Sequence, residues 1–102
     1  MKRYRITYVN FVNRGDGEGW KDSSNGTMGM YKTLKDMQED VEREINRYKT
    51  NKYYEDVTVE RADDECIVTY KYNHWRNNNK AKEVIIYKLL EFDLDKYAEE
   101  NE

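Results

Sequence analysis

One stretch of this chain repeats apolar residues at three- and four-residue steps, and it constrains the rest. Leu34, Met37, Val41, Ile45 and Tyr48 line one face of a helix placed over 34–49. Thr33, with Asp36 three residues later, makes a capping-box-like start. Asp36, Glu39, Asp40 and Glu42 gather early and Arg43, Arg47 and Lys49 late, which complements the helix dipole. So narrow a stripe predicts a helix with one face on a sheet and the other in solvent.

The sheet is legible as period-two segments around that helix. Residues 4–12 put Tyr4, Ile6, Tyr8 and Val12 on one face and Thr7, Val9 and Phe11 on the other, which predicts a central strand. Residues 54–61 alternate through Val57 and Val59, and 66–75 through Val68, Tyr70 and Tyr72. Residues 83–92 are apolar on both faces and are predicted to lie in the interior of the sheet or under the helix. Residues 62–65 and 76–80 are polar turns joining antiparallel neighbours. All five glycines fall between Gly15 and Gly29, which predicts one long irregular segment. Within it Asn25-Gly26 suits a two-residue type I′ turn leading to a short strand over 28–32. The fold class is α+β: an antiparallel sheet of four to five strands with one amphipathic helix packed on one face, in the order β-(β)-α-β-β-β. Residues 1–92 form a single domain, and 93–102 are expected to fray as an acidic tail.

With 38% charged residues and a mean hydropathy of −1.22, the composition leans toward disorder. Ten tyrosines, two tryptophans and two phenylalanines oppose that, because disordered chains are poor in aromatics. No run approaches the roughly 18 apolar residues of a membrane-spanning helix. The basic start, Met1 to Arg5, lacks the apolar block of a signal peptide. Cys66 is the only cysteine and makes no intramolecular disulfide, so the expected location is cytoplasmic.

Catalytic constellations are missing. One cysteine and one histidine cannot build a zinc site. Cys66 and His74, eight residues apart on one strand, share a face but lie too far apart for a nucleophile to touch its base. Gly15-Asp16-Gly17-Glu18-Gly19 lacks the lysine and hydroxyl of a phosphate loop, and its acids repel phosphate. As a calcium loop starting at Asp16, it has Trp20 and Thr27 where an oxygen ligand and a bidentate glutamate belong. A protein that is not an enzyme and uses no metal or cofactor is therefore expected. Trp20, an indole on a polar loop, is a candidate partner contact.

Charge runs in blocks. Lys2, Arg3, Arg5 and Arg14 make the first segment basic, with no acid among them. Tyr70, Lys71, Tyr72, His74, Trp75, Arg76, Lys80 and Lys82 mix cations with aromatics on one hairpin, a combination that binds nucleic acid through phosphate contacts and base stacking. Two acidic blocks stand against these. Glu55, Asp56, Glu60, Asp63, Asp64 and Glu65 form one, and Glu91, Asp93 and Asp95 belong to the other. If they converge, such carboxylates can occupy the phosphate-binding groove of a nucleic-acid-handling protein.

Richness in Lys, Asn, Tyr, Asp and Glu, the lack of proline, and stretches such as Tyr31-Lys32-Thr33-Leu34-Lys35-Asp36-Met37 give the chain a compositional resemblance to small phage and mobile-element proteins of AT-rich Gram-positive bacteria. That group includes anti-CRISPR inhibitors of Cas9-type effectors. The resemblance implies a non-enzymatic inhibitor that binds a protein partner, such as a host defence nuclease, in the host cytoplasm. The alternative is a small nucleic-acid-binding module using the 70–82 hairpin.

Overall fold

The first and last strands of the chain lie side by side. In a computed structural model, which describes residues 1–73 and 80–96, β1 (Lys2–Asn13) pairs antiparallel with β5 (Lys80–Asp93). Their register runs from Lys2↔Asp93 to Asn13↔Lys82 without a shift. β2 (Trp20–Tyr31) adds outside β1, while β4 (Glu65–Asn73) and then β3 (Glu55–Ala62) add outside β5. The result is one five-stranded antiparallel sheet of order β2-β1-β5-β4-β3. The helix α1 (Leu34–Thr50) links one edge strand, β2, to the other, β3, and so must cross a face of the sheet. The α+β class and the element order agree with the expectation from sequence.

The helix begins where its cap predicts. The Asp36 amide donates to Thr33 Oγ1 at 3.1 Å, which satisfies one of the amides left open in the first turn. Met37, Val41 and Ile45 are buried and meet Ile6, Cys66, Val68, Tyr70, Ile85 and Tyr87 in one core. Each fully buried aliphatic or aromatic side chain here contributes on the order of 1.5–3 kcal/mol. Two polar struts then set the helix across the sheet. Arg61 on β3 donates twice to the Glu42 carboxylate, both at 2.8 Å, and the Tyr31 hydroxyl on β2 donates to Asp40. The Arg61–Glu42 pair is about half exposed, so it adds at most ~1 kcal/mol and serves mainly to orient.

The glycine-rich segment departs from expectation. The turn between β1 and β2 occupies residues 14–19, and Asn25 and Gly26 lie inside β2, paired with Val9 and Tyr8. Three glycines adopt the left-handed backbone a tight loop needs: Gly15 (φ 72°), Gly17 (φ 84°) and Gly19 (φ 79°). Asn13 and Asp16 side chains accept from the Gly15 and Glu18 amides at 3.0 and 3.1 Å and brace the same loop. Gly26 has a different role. A Cβ there would sit 3.0 Å from the Tyr8 hydroxyl oxygen and 3.3 Å from its ring, so the missing side chain lets that ring lie against β2. The expected short strand over 28–32 is instead the last third of a twelve-residue strand that ends at Tyr31.

β5 starts at Lys80 and lies mid-sheet, as its two apolar faces predict. The expected strand end at Trp75 and the turn over 76–80 reach into residues 74–79, outside the described residues. Beyond β5, residues 94–96 make a helical turn whose Leu94 amide donates to the Met1 carbonyl at 2.8 Å. Residues 97–102 of the expected tail also lie outside the described residues. Ile6 has no exposed surface, so Ile6→Ala is expected to cost about 2–5 kcal/mol in denaturant unfolding, against ~1 kcal/mol for Thr33→Ala at the cap.

Candidate functional site

Side chains alternate across a strand, so the continuous β1–β5 register assigns every residue of both strands to a face. Ile6, Tyr8, Ile85 and Tyr87 point to the helix, as do Cys66, Val68 and Tyr70 of β4. The opposite face has no covering element among the described residues. There the rows run Asn25–Val9–Ile86–Ile67–Glu60 and Asp22–Phe11–Val84–Thr69–Thr58 across all five strands. Val9 is 37% exposed, and Phe11, Ile67, Val84 and Ile86 are half-buried at the centre of this bare face.

Charge is sorted by the same parity. The basic residues of β5, Lys80, Lys82 and Lys88, fall on the bare face with Arg3 and Arg5 of β1 and Lys71 of β4, whereas Glu83, Glu91 and Asp93 point to the helix side. Lys71 pairs with Asp56 at 3.5 Å and Lys80 with Glu55. Among the described residues, Arg3, Arg5, Lys82 and Lys88 have no carboxylate partner. Trp20 opens β2 in the row Trp20–Asn13–Lys82–Lys71–Glu55 and is half exposed on this face. The two basic segments of the sequence share this face without forming one cluster: Lys80 and Lys82 lie by the Asn13 end of β1, and Arg3 and Arg5 lie at its other end, opposite Phe92 and Leu90. His74, Trp75 and Arg76 lie outside the described residues.

The structure does not gather the predicted acids into one group. Glu55 and Asp56 sit at the start of β3 and are paired as above. Asp63, Asp64 and Glu65 sit beyond the far end of that eight-residue strand, about 25 Å away at the usual rise. Asp63 and Asp64 border a cleft of about 370 Å³ shared with Tyr4, Leu34 and Glu91. Asp93 and Asp95 both pair with the Met1 amine, and the hydrogen bond from that ammonium holds the Asp93 carboxyl below its usual range.

Sequence reasoning missed one group, Glu83. It shares the core-facing register of Ile85, Tyr87 and Leu89, and a lone acid in an apolar register was the signal available. Its Oε1 accepts from Asn10 Nδ2 at 2.9 Å, and it is hydrogen-bonded to Tyr70, but no cation pairs with it among the described residues. Burial raises its pKa above the ordinary glutamate range, against the lowering by those two hydrogen bonds. Around it Tyr48, Tyr54 and Tyr70 pack with ring centroids 4.4–5.1 Å apart, and burial raises all three hydroxyl pKa values.

Cys66 is buried and desolvation raises its thiol pKa, which suppresses the reactive thiolate. Among the described residues no group of three metal-ligating side chains occurs, and no helix is long and apolar enough to cross a membrane. Comparison with protein-family models, curated proteins and solved structures found no match for this chain.

Because its folded pKa is raised, Glu83 binds its proton more tightly in the folded state. It therefore opposes folding increasingly as pH rises from the unfolded value through the raised folded one. Glu83→Gln is expected to equal the parent in stability near pH 4 and to exceed it at pH 7, in urea unfolding at both values. A variant less stable at pH 7 than at pH 4, relative to the parent, contradicts this.

Proposed function

We propose that this chain is a non-enzymatic binding protein that docks another protein on the bare face of its sheet. The make-up of that face supports the reading. Val9, Phe11, Ile67, Val84 and Ile86 form an apolar centre, and Arg3, Arg5, Lys82 and Lys88 surround it without carboxylate partners among the described residues. An apolar centre inside a charged rim is the anatomy of a protein interface. The complementary partner presents an apolar patch with an acidic rim. In the inhibitor role suggested by composition, such contact blocks a defence effector at an acidic surface. Filling a basic groove with Glu55, Asp56, Asp63, Asp64 and Glu65 has less support, because these acids stand at two ends of β3.

A photoreactive residue in place of Val9 is expected to crosslink to one protein at a net-acidic segment, while the same probe in place of Glu39 on the outer helix face does not. Lys88→Glu is expected to lower that capture roughly tenfold, since it sets like charges against each other. Equal crosslinking from both positions, or capture indifferent to Lys88→Glu, contradicts the reading.

One observation favours nucleic acid as a second reading: Lys71, Lys80, Lys82, Lys88, Arg3 and Arg5 share this face with Trp20 and Phe11. Single-stranded binding of that kind weakens steeply with salt and is lost in a Lys82→Glu, Lys88→Glu double variant. Fluorescence polarisation with a labelled oligonucleotide checks both, and a flat salt response speaks against it. Four of the five residues named at the centre of the face are aliphatic and offer bases little to stack on, which favours the protein reading.

A further inference from the structure

We propose a chemically different site on the helix side of the sheet: a cleft that accepts a guanidinium or alkylammonium group. It lies where the helix stops covering β2. Trp20–Asn25 are all exposed, and burial begins only at Gly26. Tyr8 and Asn10 of β1, Ser24 of β2, Glu44 and Tyr48 of α1 and Tyr87 of β5 border the resulting space of about 310 Å³, a size typical of small-ligand clefts. Gly26 shapes its floor by letting the Tyr8 ring lie flat on β2.

The walls hold more acceptors than donors. Asn10 spends its amide nitrogen on Glu83, which leaves Asn10 Oδ1 buried with no hydrogen-bond partner among the described residues. An unmet buried acceptor costs about 1–3 kcal/mol, so a donor reaching it is favoured. The opposite amide orientation would set Oδ1 against the Glu83 carboxylate, which only accepts when ionised. Glu83 stands one hydrogen bond behind this wall with no cation partner among the described residues. Glu44 adds a second carboxylate, which among the described residues pairs only with Arg47 of its own helix, at 3.0 Å. Tyr8, Tyr48 and Tyr87 supply aromatic surface that attracts a cation. A guanidinium donates in all directions and accepts nowhere, which answers this inventory, and an anion meets two carboxylates. The site lies on the opposite side of the sheet from the proposed docking face and does not depend on that reading.

Two sources carry this chemistry: a free organic cation, or an arginine side chain of a bound protein. Titration of the labelled protein with agmatine, with a capped arginine peptide and with neutral N-butylurea, followed by NMR, separates them. Saturable shifts at Tyr8, Asn10 and Tyr48 are expected with at least one cationic probe. Tighter agmatine binding assigns a free cation, and tighter peptide binding assigns a protein side chain. Glu83→Gln, with its fold checked by circular dichroism, is expected to weaken binding at least tenfold. Ser24→Arg, which fills the mouth from an exposed position, is expected to abolish it. The proposal is overturned by no saturation with either cation up to about 10 mM, a weak limit for ligands of this size. Equally tight butylurea binding, or unchanged affinity in folded Glu83→Gln, overturns it as well.

Discussion

The pairing of β1 with β5 determines most of what this molecule presents. It joins the two ends of the chain through twelve consecutive residue pairs with no bulge, at the middle of the sheet. Such contacts are distant in sequence and slow to form, because a long loop must close before any of them gains. Once formed, they leave no freedom of register. A slip of one residue would carry Ile6 and Ile85, both almost fully buried, to the bare face and bring Arg5 and Lys88 under the helix. Both bulges on β1 involve β2, where the glycine-containing outer strand absorbs the irregularity.

Fixed parity turns a linear charge pattern into a two-sided one. A net charge of −3 suggests a nearly balanced surface. The central strands are instead polarised, with lysines 80, 82 and 88 on one side and Glu83, Glu91 and Asp93 on the other. On the edges the order reverses, since Glu55, Glu60 and Glu65 of the β3–β4 hairpin lie on the bare face. Unpaired cations are consequently concentrated over β1 and β5. That arrangement sets the chemistry of any macromolecule this face receives.

How far the sequence was legible depended on the range of the interactions involved. The helix and its cap rest on contacts three and four residues apart, and Thr33, Met37, Val41 and Ile45 fell where their spacing put them. Strands 3 and 4 followed from alternation, and strand 5 from an apolar run on both faces. Asn25-Gly26 misled because its turn propensity is local, while its position in β2 is imposed by pairing with Val9 and Tyr8 and by the room the Tyr8 ring needs. The separation of Glu55 from Asp64 depends on which end of β3 each occupies, and the meeting of Arg5 with Lys88 on strand order. Neither is encoded locally. Glu83 was visible as an acid in a core register, but its lack of a counter-charge depends on four different elements.

Glu83 also bears on why the core has this form. A half-buried carboxylate without a cation partner among the described residues lowers stability, and at its position an aliphatic residue would extend the packing of Ile85 and Tyr87. Asn10 and Val9 are sequence neighbours, as are Ile85 and Ile86, yet in each pair one residue faces the cleft and the other the bare face. The same two strands therefore wall both surfaces with different residues. A change at Glu83 alters the cleft and leaves the apolar centre opposite intact, and a change at Val9 does the reverse. The fold keeps its two candidate surfaces chemically independent while making both rely on a single register.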